Sequence, residues 1–172
     1  MAKGGTGDRF AQANMAGMVL IRLCLGAILL ADGILNLLNR EDFLAEVVAL
    51  TSPGGAFVTN SAWDGFRNFI ATMIAPSAEL FAWVLLLGSL LIGTLLFIGL
   101  LTRLAAFLAI VLTGFYLCAS WAYTVPLVVS GSGLVLNAAL LVMSLAVLIA
   151  AAGRTCGFDA LLARRSKVKL FW

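Results

Sequence analysis

The sequence predicts an all-α integral membrane protein, a four-helix bundle with short amphipathic helices in a long first extracytoplasmic loop. Three observations predict it. Of 172 residues, 63% are hydrophobic and 11% charged, against roughly 45–50% and about 25% in soluble domains. Four stretches, residues 15–38, 77–101, 103–122 and 133–152, reach the about 20 apolar residues that a helix needs to cross a bilayer. The Lys and Arg residues fall on alternate connections, as a multi-pass chain requires.

Residues 1–162 read as one four-span domain and residues 163–172 as a basic cytoplasmic tail. At 1.5 Å per residue the first span is roughly 36 Å long, enough to cross with some tilt. It exceeds the apolar core of a signal peptide, about 7–15 residues, and no small-residue cleavage site follows it, so it is expected to be retained. Four spans put both termini and the link between spans two and three on one side. That side holds Lys3, Arg9, Arg103, Arg154, Arg164, Arg165, Lys167 and Lys169, whereas the first loop has only Arg40 and Arg67 beside Glu41, Asp42, Glu46 and Asp64. Both termini are therefore expected in the cytoplasm.

The first loop, residues 39–76, is not uniformly polar. Phe43, Leu44, Val47, Val48 and Leu50 recur at helical spacing, as do Phe66, Phe69, Ile70, Met73 and Ile74 after Ser61-Ala62-Trp63-Asp64, a start resembling a capping box. Two amphipathic helices divided at Ser52-Pro53-Gly54-Gly55 are expected, lying on the outer membrane surface or capping the bundle. The link at Leu100-Leu101-Thr102-Arg103 forces spans two and three into a tight hairpin, with Gly99 as the helix stop and Thr102 as the next start. Ser89-x-x-x-Gly93 and Ala105-x-x-x-Ala109 put small residues on one helix face, which permits close approach between helices. Trp63, Trp83, Trp121, Tyr123 and Trp172 fall near span ends, where aromatic residues anchor at the interface.

The chain has no histidine, which excludes a His-ligated haem or zinc and a Ser-His-Asp triad. Cys24, Cys118 and Cys156 are too far apart for a Cys-x-x-Cys motif and read as small apolar fillers. No haem or metal of its own is expected. The net charge of +3 is modest, and lipid rather than nucleic acid is the expected partner.

Ionisable residues inside the spans carry the functional information. A charge at mid-membrane costs on the order of 2.5–3.5 kcal/mol by insertion scales, so Arg22 needs a partner, such as Asp159, or must snorkel to the cytoplasmic interface. Asp32 is too short to snorkel. It lies ten residues from Arg22, a rise of about 15 Å and off the same face, so the two cannot pair within the helix. Asn36 follows one turn later on the same face, and Glu79 and Trp83 enter span two from the same outer side. Asp32, Asn36 and Glu79 are thus expected to cluster near the outer face, either as a site in which Asp32 carries protons or as a hydrogen bond that fixes packing. Asn137 reads as interhelical glue.

Three segments resemble the DoxX/DoxD family of four-helix membrane proteins. They are Arg22-Leu23-x-Leu25-Gly26 followed by Gly33; Gly93-x-Leu95-x-x-x-Gly99-Leu100-Leu101-Thr102-Arg103-Leu104-Ala105; and Ala152-Gly153-Arg154-x-x-Gly157-x-Asp159-Ala160-Leu161-Leu162. The resemblance covers residues 19–162. It implies a membrane subunit of a thiosulfate:quinone type oxidoreductase, quinone as cofactor, a second subunit as partner, and the cytoplasmic (inner) membrane of a bacterium or archaeon. Asn36 stands where many relatives carry lysine, and Ser89 where they carry glutamate.

A quinone site needs a lipid-accessible slot, donors for the quinone carbonyls and a proton source. Arg22 or Asn36 would donate and Asp32 or Glu79 would relay protons, with Trp83 beside them. Thiosulfate, an anion, would seek Arg40 or Arg67 outside, or Arg103 within. The alternative is a non-catalytic accessory subunit packed on the rim of a larger respiratory or photosynthetic complex.

Overall fold

The computed structural model describes residues 7–59, 61–119 and 133–150, with side chains from residue 16 in the first helix and residue 135 in the last. The elements are α1 (Gly7–Leu38), α2 (Arg40–Thr51), α3 (Ala56–Thr59), α4 (Asp64–Phe69), a π-helical turn (Ile70–Ile74), a 3-10 turn (Ala75–Ser77), α5 (Ala78–Ile98), α6 (Thr102–Ala119) and α7 (Gly133–Ala150). The described residues form no strand. The expected anchors Trp121, Tyr123 and Trp172, the basic tail, Cys156 and Asp159 lie outside the described residues.

Helices α1, α5, α6 and α7 pack in cyclic order, each against two neighbours. Three stretches, Ala16–Leu38, Asp64–Ile98 and Thr102–Ala119, are long and apolar enough to cross a membrane, and a shorter apolar stretch runs over Val135–Ala150. The bundle is apolar outside as well as inside: Leu20, Leu87, Phe107, Val142 and Ile149 are all more than half exposed. Water would not tolerate such a surface; lipid does. This is a membrane protein.

Since hydrocarbon offers no hydrophobic drive for helix association, the bundle depends on close contact. Gly26 of α1 faces Leu96 and Phe97, Gly33 faces Ser89 and Leu90, and Gly93 of α5 faces Leu29 and Leu30, so one register runs the length of the α1–α5 pair. A Cβ at Gly26 would come within 2.7 Å of the Phe97 amide nitrogen, and one at Gly33 within 2.8 Å of the Leu90 nitrogen. The expected small faces are in place: Ser89 is buried, Gly93 is in the crossing, and Ala105 and Ala109 have no exposed surface.

At one end, α5 stops where expected. Gly99 is left-handed (φ 76°), and the Gly99 and Leu100 amides both donate to the Leu95 carbonyl at 2.9 Å. Leu101, also left-handed (φ 50°), closes the link. The guanidinium of Arg22, 3% exposed, lies over this turn, with Nη1 2.8 Å from where a Gly99 side chain would begin. A cation there opposes the negative end of the α5 dipole.

At the other end the first loop builds a cap. Helix α2 directs Phe43, Leu44 and Val47 into the main core and Glu41, Asp42 and Glu46 outward, as expected. The chain breaks at residues 52–55 and adds the short α3, whose Phe57 and Val58 join Ile70, Ile74 and Ala119 in a second small core. The Ala62 amide ties the cap to α6 through the Cys118 carbonyl, at 3.1 Å.

One local expectation is corrected: no side-chain bond caps α4, whose N-cap is Trp63. The α-helix of the second span, α5, begins at Ala78, next to the expected start at residue 77, with Ser77 as its N-cap. Helical turns precede it from Asp64, so the apolar helical stretch is 35 residues long, and Pro76 sits in the 3-10 turn just before α5.

Two glycines separate packing from propensity. Nothing lies within 4 Å of a Cβ at Gly88, whereas one at Gly93 would meet the Leu30 backbone. Gly88→Ala should leave the melting temperature in detergent unchanged or raise it, by about 0.5–1 kcal/mol of helix propensity. Gly93→Ala should lower stability by about 1–3 kcal/mol, and equal melting curves would show that the crossing is not close. Gly99→Ala should cost about 1–2 kcal/mol through its left-handed backbone, measured in the same assay.

Candidate functional site

The spans contain several polar side chains, and some are accounted for within their own helix. The hydroxyls of Ser89, Thr113 and Ser144 donate to Leu86, Ala109 and Leu140 carbonyls at 3.0, 2.7 and 2.7 Å. Each satisfies itself without leaving its helix, the economical solution in lipid. Asp32 is different. It is 5% exposed, and among the described residues it is the only buried carboxylate.

Its position follows from the α1–α5 register. Gly33 next to it packs on Ser89 and Leu90, which turns Asp32 into the bundle on the cap side of the helix crossing. Asn36, one turn on and half-buried, hydrogen-bonds to the Asp32 side chain. The half-buried Tyr116 lies in the last turn of α6, at the same cap end of the bundle. Glu46 is exposed on the outward face of α2, one turn after Asp42. Three elements therefore bring polar groups to the cap end: α1 a carboxyl and an amide, α6 a phenol, and α2 an exposed acid.

The apolar wall beside Tyr116 is aromatic. Phe115 lies with its ring centroid 5.1 Å from Phe81, 5.5 Å from Phe66, 6.1 Å from Tyr116 and 6.2 Å from Phe57. Gly114 faces Leu141 of α7, which sets the buried Asn137 level with the last turn of α6. Immediately beyond Asn36, an open depression of about 530 Å³ at the α1–α2 corner is lined by Leu37, Leu38, Asn39, Arg40, Glu41 and Asp42.

The structure joins only part of the set expected from sequence. Asp32 and Asn36 are together. Glu79 is exposed in the first turn of α5, eleven residues from Leu90 and so about 16 Å along the helix from the level of Asp32. Trp83, half-buried, lies one turn below Glu79 and remains on the cap side of that level. Arg22 is at the opposite end, over Gly99, and Arg103 is exposed in the first turn of α6 beside that same link. Sequence reading did not identify Tyr116, Glu46 or Phe115. The available signals were a tyrosine inside the third apolar stretch and an Asp42–Glu46 pair at helical spacing on α2.

Among the described residues, no three His, Cys, Asp or Glu side chains are grouped to hold a metal ion. The arrangement that is present, a carboxyl, an amide and a phenol against an aromatic wall, can hold a flat polar-edged molecule by its oxygens and exchange protons with it. Comparison with curated proteins and with solved structures finds no match to this chain. A family model described as the small subunit DoxD of thiosulfate:quinone oxidoreductase matches residues 18–172. Taking in the whole bundle and its cap, that match places the chain in the DoxD family of small thiosulfate:quinone oxidoreductase subunits.

Proposed function

We propose that this subunit holds the quinone while it is reduced, with the head group at the cap end among Asp32, Asn36 and Tyr116. The carrying observation is Asp32 itself: a buried carboxylate in a bundle where the hydroxyls of Ser89, Thr113 and Ser144 bond back to their own helices. Keeping such a group in lipid is costly, and intramembrane acids that persist commonly serve proton transfer. Two-electron reduction turns both quinone carbonyls into hydroxyls and consumes two protons. Asn36 and the Tyr116 hydroxyl supply hydrogen bonds to the oxygens, and Asp32 delivers protons.

The thiosulfate half belongs to a partner subunit in this reading. The cap carries two cations among the described residues, and both are engaged: Arg40 with Glu41 at 4.0 Å and Arg67 with Asp64 at 3.3 Å. Around them stand Asp42 and Glu46, so the cap field disfavours an anion. By the distribution of Lys and Arg, the cap faces outward and the α5–α6 link faces the cytoplasm, in the cytoplasmic membrane of a bacterium or archaeon.

Two measurements test this. Asp32→Asn, assayed with the partner subunit present, should slow thiosulfate-driven quinone reduction by about 10²-fold or more while the melting temperature stays at the parent value, and Asp32→Glu should recover part of the rate. A parental rate in Asp32→Asn would remove Asp32 from the chemistry. In a cysteine-free background, a membrane-impermeant maleimide added to intact cells should label a cysteine at position 42 and spare one at position 103; the reverse pattern would invert the topology.

A further inference from the structure

We propose that the depression at the α1–α2 corner holds the head group of a zwitterionic phospholipid with a primary amine, of the phosphatidylethanolamine type, from the leaflet on the cap side. At about 530 Å³ the depression has the size of a small-molecule site. Its lining is mixed: two leucines, Leu37 and Leu38, one amide, Asn39, one cation, Arg40, and two carboxylates, Glu41 and Asp42. Neither Asp32 nor Asn36 lines it, so this site stands apart from the quinone reading.

The corner is built in the order of a lipid molecule, apolar along the span and charged at its end. The last turns of α1 present Ile34, Leu35 and Leu38, all exposed, to the surroundings, a track on which acyl chains can lie. There the chain turns from α1 into α2, and residues 39–42 are all polar and exposed. The turn is held locally. The Asn39 side chain donates to the Leu35 carbonyl at 3.2 Å, and the Phe43 amide donates to the Asn39 carbonyl at 3.0 Å. The charged wall is thus set directly at the end of the apolar track.

Charge selects the head group. Arg40 and Glu41 stand 4.0 Å apart with both side chains more than half exposed, a weak pair that opens easily. A bare anion would take Arg40 and leave the carboxylates of Glu41 and Asp42 uncompensated. A phosphodiester with an ammonium on the same short chain serves both sides: the guanidinium takes the phosphate oxygens through its fork of N–H donors, and the ammonium donates to Glu41 and Asp42. A primary ammonium has three N–H donors for those carboxylates, whereas a trimethylammonium has none. An anionic head group without a cation meets two carboxylates for one arginine and is disfavoured.

Native mass spectrometry of the full chain in detergent tests this, with phosphatidylethanolamine, phosphatidylcholine and phosphatidylglycerol of identical acyl chains titrated separately. The parent should bind phosphatidylethanolamine about tenfold more tightly than phosphatidylglycerol and about threefold more tightly than phosphatidylcholine. Arg40→Gln should weaken phosphatidylethanolamine binding about tenfold, and Glu41→Gln combined with Asp42→Asn should erase its advantage over phosphatidylcholine. Asp64→Asn, an exposed acid of the cap that does not line the depression, should bind as the parent does. Because Arg40, Glu41 and Asp42 are exposed, melting temperatures in lipid-free detergent should stay at the parental value in every variant. Equal affinity for the three lipids, or parental binding in both corner variants, would mean loosely held surrounding lipid only and would overturn the site.

Discussion

How closely α1 and α5 approach decides the rest of this bundle. Gly26, Gly33 and Gly93 bring backbone against backbone at three levels of the crossing, and no larger side chain at those points leaves the register unchanged. In water a helix pair is held by the apolar area it hides; in lipid that drive is absent, and contact distance must supply the energy through dispersion and packing. Because the register is fixed, so is the depth of each polar residue on α1. Arg22 is delivered to the α5–α6 link and Asp32 to the cap, roughly 15 Å apart. The two charges inside one apolar helix are thereby kept from neutralising each other, and each must be met by a different part of the protein.

The two ends meet them differently. At the link, a left-handed glycine opens space over a helix C-terminus, and the Arg22 guanidinium fills it. That solution is fully structural: a cation against the negative pole of a dipole, beside a turn that must be tight. At the cap, Asp32 is met by the Asn36 amide, a neutral group, in place of a cation. The same expense of placing charge in lipid is thus met by a helix end in one place and by a neighbouring amide in the other.

Most of the architecture was legible in the sequence because bilayer thickness and helix rise are fixed lengths. Apolar runs of the right length, Gly99, and small residues four apart gave the long helices, the tight link and the close faces. What was missed depends on distances that no one-dimensional pattern holds. Glu79 and Trp83 were grouped with Asp32 on the premise that the start of the second span is level with the end of the first. Helix α5 does begin just after Pro76, but the Gly33–Leu90 register carries its first turns past Leu38, beside α2. The seating of the cap on α6 was invisible for the complementary reason: it rests on the Phe66–Phe115 ring contact and the Ala62–Cys118 backbone bond, which join residues far apart in sequence.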